Sequence, residues 1–92
     1  METLEDMRKS IDNIDNAIVA MLAERFKTTD RVGYFKAQNG LALKDLKREA
    51  EQYARISGLA QQYGLNPEFA QSYLSVVISK VIENHEKIAK DF

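Results

Sequence analysis

Residues 4–38 read LEDMRKSIDNIDNAIVAMLAERFKTTDRVGYFKAQ, and the spacing within this stretch decides the fold. Leu4, Met7, Ile11, Ile14, Ile18, Met21, Arg25, Thr28, Val32 and Phe35 recur at alternating intervals of three and four. That is a heptad-type helical stripe held for more than four repeats. Gly33 is the one glycine inside it. A mid-helix glycine costs about 1 kcal/mol relative to alanine but lets another backbone approach closely. Asn39-Gly40 then supplies a natural helix end.

Outward from this helix, residues 41–44 make a short connection and Asp45 is a good N-cap for a second helix. Its apolar positions are Leu46, Ala50, Tyr53, Ile56, Leu59, Ala60 and Tyr63, and Gly64 fits the residue just past its end. Asn66-Pro67-Glu68 reads as N-cap, first-turn proline and first-turn acid of a third helix. That helix carries Phe69, Ala70, Tyr73, Leu74, Val77, Ile78, Val81, Ile82 and Ile88. No strand-like alternation occurs. The expectation is an all-α chain with one long and two shorter helices, forming one domain over residues 1–92.

The first helix is on the order of 50 Å long at ~1.5 Å per residue. A compact globule of 92 residues is roughly 32 Å across. Either the helix breaks, with Gly33 the obvious place, or it packs along a partner. The sustained heptads favour the partner, so an intertwined homodimer with a shared core is expected.

Composition narrows the chemistry. Thirteen Lys+Arg against fourteen Asp+Glu leaves a formal charge of −1, so no basic field points to nucleic acid. There is no cysteine and one histidine, His85. Disulfides, thiol nucleophiles and the common zinc sites are thereby excluded or made improbable, and neither metal nor cofactor is expected. No apolar run approaches the roughly 18 residues that span a bilayer. The opening METLEDMRKS lacks the apolar segment of a secretory signal. A cytoplasmic protein without membrane contact is the expectation.

Several polar residues stand where apolar ones belong. Arg25 and Thr28 occupy consecutive stripe positions. A desolvated guanidinium needs a carboxylate or an anionic ligand, so Arg25 is either a register-setting polar layer or a ligand contact. Lys36 lies eleven residues later on nearly the same face, about 16 Å away by helical rise. Alone it reads as a solvated lysine; with Arg25 it frames a gap suited to a small dianion. Arg48, in the first turn of the second helix, opposes the helix dipole, a penalty that a bound carboxylate would offset. Asp45 and Glu49 are accounted for by capping and dipole complementarity. His85, on the apolar stripe of the third helix, is either a satisfied core residue or the one group that titrates near neutrality. Arg8 is about 25 Å from Arg25 along the axis. In an antiparallel dimer it reaches the partner's gap instead.

Read in order, M-R-K-S-I-D-N-I-D (7–15), L-A-E-R (22–25), V-G-Y-F-K-A (32–37) and K-D-L-K-R-E (44–49) resemble the all-helical chorismate mutases. The resemblance runs from about Met7 to Ile88 without gaps. It implies a dimer of entwined three-helix chains with two shared sites. It places Arg8 of the partner chain and Arg25 on the substrate carboxylates, and Arg48 near the substrate. Lys36 would contact a carboxylate and the ether oxygen, and Glu49, assisted around Asp45, the ring hydroxyl. His85 falls where many members carry Gln, the second donor to the ether oxygen. Val81 falls where some carry a carboxylate-binding Ser. These two positions depart from the pattern: imidazole N–H can replace an amide donor, whereas Val81 removes a polar contact.

The implied activity is an intramolecular rearrangement of chorismate to prephenate, which needs positioned cations and no reactive nucleophile. If His85 donates best when protonated, activity falls as pH rises through its titration. Isochorismate-pyruvate lyases share the fold and the cationic set, and a 4-amino-4-deoxychorismate mutase is a further alternative. A non-catalytic helical dimer regulating a partner enzyme explains the heptads but not the coincidence of five matching polar positions. Association with another aromatic-pathway enzyme is the remaining partner expectation.

Overall fold

The computed structural model describes residues 1–92 as three helices: α1 (Leu4–Gln38), α2 (Leu46–Tyr63) and α3 (Pro67–Ala89). Each boundary has a local cause. Thr3 and Asp6 form a reciprocal capping box at the start of α1, each side chain accepting from the other's backbone N–H. Asp45 caps α2 by accepting from Arg48 N–H, and Gly64 closes that helix with φ +73°. Asn66 caps α3 by accepting from Phe69 N–H, with Pro67 in the first turn.

α3 is the middle layer and packs against both α1 and α2, which do not pack against each other. The small core follows from that arrangement. Leu74, Val77, Ile78 and Ile88 of α3 are buried with Ala60 of α2, and Gly33 is the one buried residue of α1. Gln71 of α3 donates to Ser57 of α2 at 2.7 Å, tying the second pair together.

α1 continues unbroken through Gly33. The chain therefore extends 58 × 25 × 14 Å with a radius of gyration of 16.7 Å, against about 12 Å for a compact domain of this size. Every residue from 1 to 20 is exposed. The stripe from Leu4 to Met21 has no cover within the chain, its members standing between 43% and 65% accessible. Gly33 does accommodate a close approach, but of a side chain rather than another backbone: the His85 ring lies against it. No helix is long and apolar enough to cross a membrane.

Candidate active site

A cavity of about 330 Å³ opens where the second half of α1 meets α3 and the start of α2. Its wall contains Arg25 and Lys36 from α1, Asp45, Arg48 and Glu49 around the start of α2, and Val81 and His85 from α3. Seven of the eight residues singled out from the sequence thus meet in one place. Arg8 does not line it; it sits on the uncovered first half of α1. The remaining wall is Thr28, Thr29, Val32, Leu43, Gln52, Ile78 and Ile82.

Helical geometry explains the convergence. Arg25, Thr28, Thr29, Val32 and Lys36 stand at positions i, i+3, i+4, i+7 and i+11, along one face of α1. Ile78, Val81, Ile82 and His85 do the same on α3. The connection after α1 then brings the first turn of α2 over the gap. Thr29 is one polar wall residue outside the sequence-based expectations, and Gln52 is the other. Its signal was present, because it lies four residues after Arg48 and three after Glu49, on the same face.

The cations are poorly neutralised by the protein. Arg25 is half-buried and its Nη1 is shielded from solvent without a hydrogen-bond partner. An unpaired buried charged donor is costly, and an anion in the cavity would satisfy it. Lys36 Nζ donates to the Leu43 carbonyl at 3.1 Å, which pins the connection across the site and holds the ammonium in place. Arg48 meets only Glu51, at 3.6 Å with both side chains more than half exposed, a contact worth little. Of the two carboxylates, Asp45 is engaged in capping α2. Glu49 is the better buried one, with a 4.0 Å contact to Lys44. Three cations face two carboxylates, and the N-terminal end of the α2 dipole adds further positive potential. The recess beside the cavity, about 230 Å³, shares Arg25, Arg48 and Gln52 and adds Arg55.

His85 is 3% exposed, and its Nε2 lies 2.7 Å from the Thr29 carbonyl oxygen. A carbonyl only accepts, so Nε2 carries the proton. Nδ1 is buried and has no partner. Val81 is an apolar part of the wall. The carboxylates held below their ordinary range lie elsewhere. Asp6 is lowered first by the Thr3 backbone N–H, and Glu83 first by Lys87 and then Lys80. No group of three or more His, Asp or Glu side chains converges in a way that would hold a metal.

The arrangement gathers three cationic side chains around one cavity, a chemistry suited to a small anion. A profile of the family described as chorismate mutase type II matches residues 7–86. The chain is 31% identical to a chorismate mutase of Methanocaldococcus jannaschii, over 95% of this chain and 83% of that one. It is 29% identical to a bifunctional chorismate mutase/prephenate dehydratase of Buchnera aphidicola, over 92% of this chain and 22% of the relative. A bifunctional protein of the same description from Aquifex aeolicus is 33% identical, over 96% of this chain and 25% of the relative. The chain therefore spans about a quarter or less of these two bifunctional relatives.

Proposed function

The chain belongs to the chorismate mutase type II family, and from that premise we propose that it rearranges chorismate to prephenate in a site shared between two copies. The observation that carries the proposal is Arg25, half-buried with an unpartnered Nη1, in one cavity with Lys36 and Arg48. The whole chain, residues 1–92, acts as one functional unit in this reading, in a cytoplasmic setting.

The reaction breaks a C–O bond and forms a C–C bond within one molecule, so no group transfer to the protein is needed. Two contributions remain. Arg25, with Arg8 of a second copy, would grip the two carboxylates and hold the flexible enolpyruvyl arm over the ring. Lys36 would place an N–H on the ether oxygen, where negative charge grows as the bond breaks. A donor already fixed in position, as Lys36 is by the Leu43 carbonyl, pays little reorganisation when that charge appears. Glu49, with Asp45 beside it, faces the cavity as an acceptor for a ring hydroxyl, and Arg48 adds positive potential. Val81 offers the substrate only an apolar contact. His85 completes the wall as the candidate second donor.

Dimerisation is supported by the apolar stripe of α1. Burying a side chain such as Ile or Leu stabilises by roughly 1.5–3 kcal/mol, and six of them are stacked along an uncovered helix face. A second copy running antiparallel would cover that face and bring its Arg8 toward this cavity. The bifunctional relatives combine chorismate mutase and prephenate dehydratase, which supports another aromatic-pathway enzyme as an associate.

Ultraviolet absorbance of chorismate incubated with the purified protein tests the reading. Loss of chorismate with appearance of prephenate is expected. Salicylate formed from isochorismate would identify a lyase, turnover of only the 4-amino-4-deoxy analogue would identify that mutase, and inertness toward all three would leave a binding or regulatory dimer.

A further inference from the structure

We infer that Gly33 and the Thr29 carbonyl are positioning groups that fix His85 in its Nε2–H form, so that the neutral ring has no N–H left for a bound ligand. What the ring could offer a substrate rests on the mutase reading above; the tautomer does not.

The contact between α1 and α3 is close because Gly33 has no side chain. A Cβ there would lie 2.7 Å from His85 Cδ2, 3.1 Å from its Nε2 and 3.0 Å from Ile88 Cδ1. The gap admits the Cδ2–Nε2 edge of the ring, and Nε2 reaches the Thr29 carbonyl, one turn earlier on the same face of α1, at 2.7 Å. A carbonyl oxygen has two lone pairs, so a mid-helix carbonyl can accept this second bond. The other tautomer would set two lone pairs against each other at that distance. Neutral His85 therefore has its single N–H committed to the protein. Nδ1, on the opposite edge, is buried, unpartnered and without a hydrogen.

A neutral ring in this state can accept but not donate. An amide side chain in the same place keeps a free N–H at every pH; this imidazole gains one only by protonation at Nδ1. The charged groups sharing the cavity with His85 are Arg25 and Lys36 from α1 and Asp45, Arg48 and Glu49 from the start of α2, with none from α3 itself. Asp30, next to Thr29, has a buried unpartnered Oδ1 but lies outside the wall.

Nitrogen-15 NMR of the imidazole in the free, full-length protein tests the tautomer without reference to activity. At a pH where the ring is neutral, the spectrum is expected to show a protonated Nε2 and an unprotonated Nδ1. In Gly33→Ala the displaced ring loses the Thr29 bond and should become a tautomer mixture. A protonated Nδ1 in the neutral unsubstituted protein, or an unchanged spectrum in a folded Gly33→Ala, would overturn the positioning role. Absence of turnover in all variants would instead fail the mutase reading, leaving the tautomer decided by the spectrum.

Discussion

Lys36→Ala removes a cation that the structure has already locked in place. Its Nζ, half-buried in the cavity wall, donates to the Leu43 carbonyl at 3.1 Å. Losing that bond should cost stability by only about 1 kcal/mol, since the freed carbonyl belongs to a connection that water can reach. Catalysis should suffer more. Removing one preorganised donor from a developing oxyanion typically costs about 3–4 kcal/mol, or 10²–10³ in kcat. The other two cations of the wall start far from its position, Arg25 about 16 Å away along α1 and Arg48 on α2. The assay is initial-rate loss of chorismate absorbance at saturating substrate, with urea denaturation alongside to confirm the fold. Lys90→Ala, exposed beyond the end of α3, is the control and should be indistinguishable from the unsubstituted protein. A kcat for Lys36→Ala within tenfold of the control, with the fold intact, would refute the assignment of Lys36 as the donor to the breaking bond.

Ile14→Lys places a charge in the middle of the uncovered α1 stripe, where Ile14 is 58% accessible; sedimentation should show dissociation to monomers at concentrations where the unsubstituted chain is dimeric, and activity should fall with it. Asp6 is held below the ordinary carboxylate range by the Thr3 backbone N–H. A depressed folded-state value stabilises above the unfolded value, near pH 4, and that contribution is lost as pH falls through the folded value. Amide protection in the first turn of α1, measured relative to the intrinsic exchange rate at each pH, should therefore fall on acidification, and in Asp6→Asn it should be low already at neutral pH and change less.

The three helices and their ends were legible because their signals are local. The stripe from Leu4 to Phe35 carries its period in plain spacing, Asp45 and Asn66 are capping residues, and Gly64 supplies the left-handed turn that ends α2. The pairing of Arg25 with Lys36 was equally readable, since both lie on one helix face. The contribution of α2 was not, because it depends on how residues 39–45 turn the chain over the gap; only the family resemblance brought Arg48 and Glu49 to it. His85 marks the other limit. Its spacing identified the stripe position, but the state of its ring depends on Gly33 and Thr29, 52 and 56 residues earlier in the chain. The carbonyl that orders it carries no side-chain signature at all. The exposed stripe is the converse case, where the sequence pattern asked for a partner and the single chain leaves that face bare.

Mixing two inactive variants tests the shared site most directly. Arg8→Ala should disable each site through the partner's missing arginine, and Lys36→Ala through a missing donor of its own cavity. After denaturation together and refolding, half of the dimers pair one chain of each kind. Each such dimer has one site with an intact cavity facing an intact Arg8, so activity should return to about one quarter of the unsubstituted level. Activity that stays at the level of the separate variants, while mixed dimers are demonstrably formed, would contradict a site built from two copies.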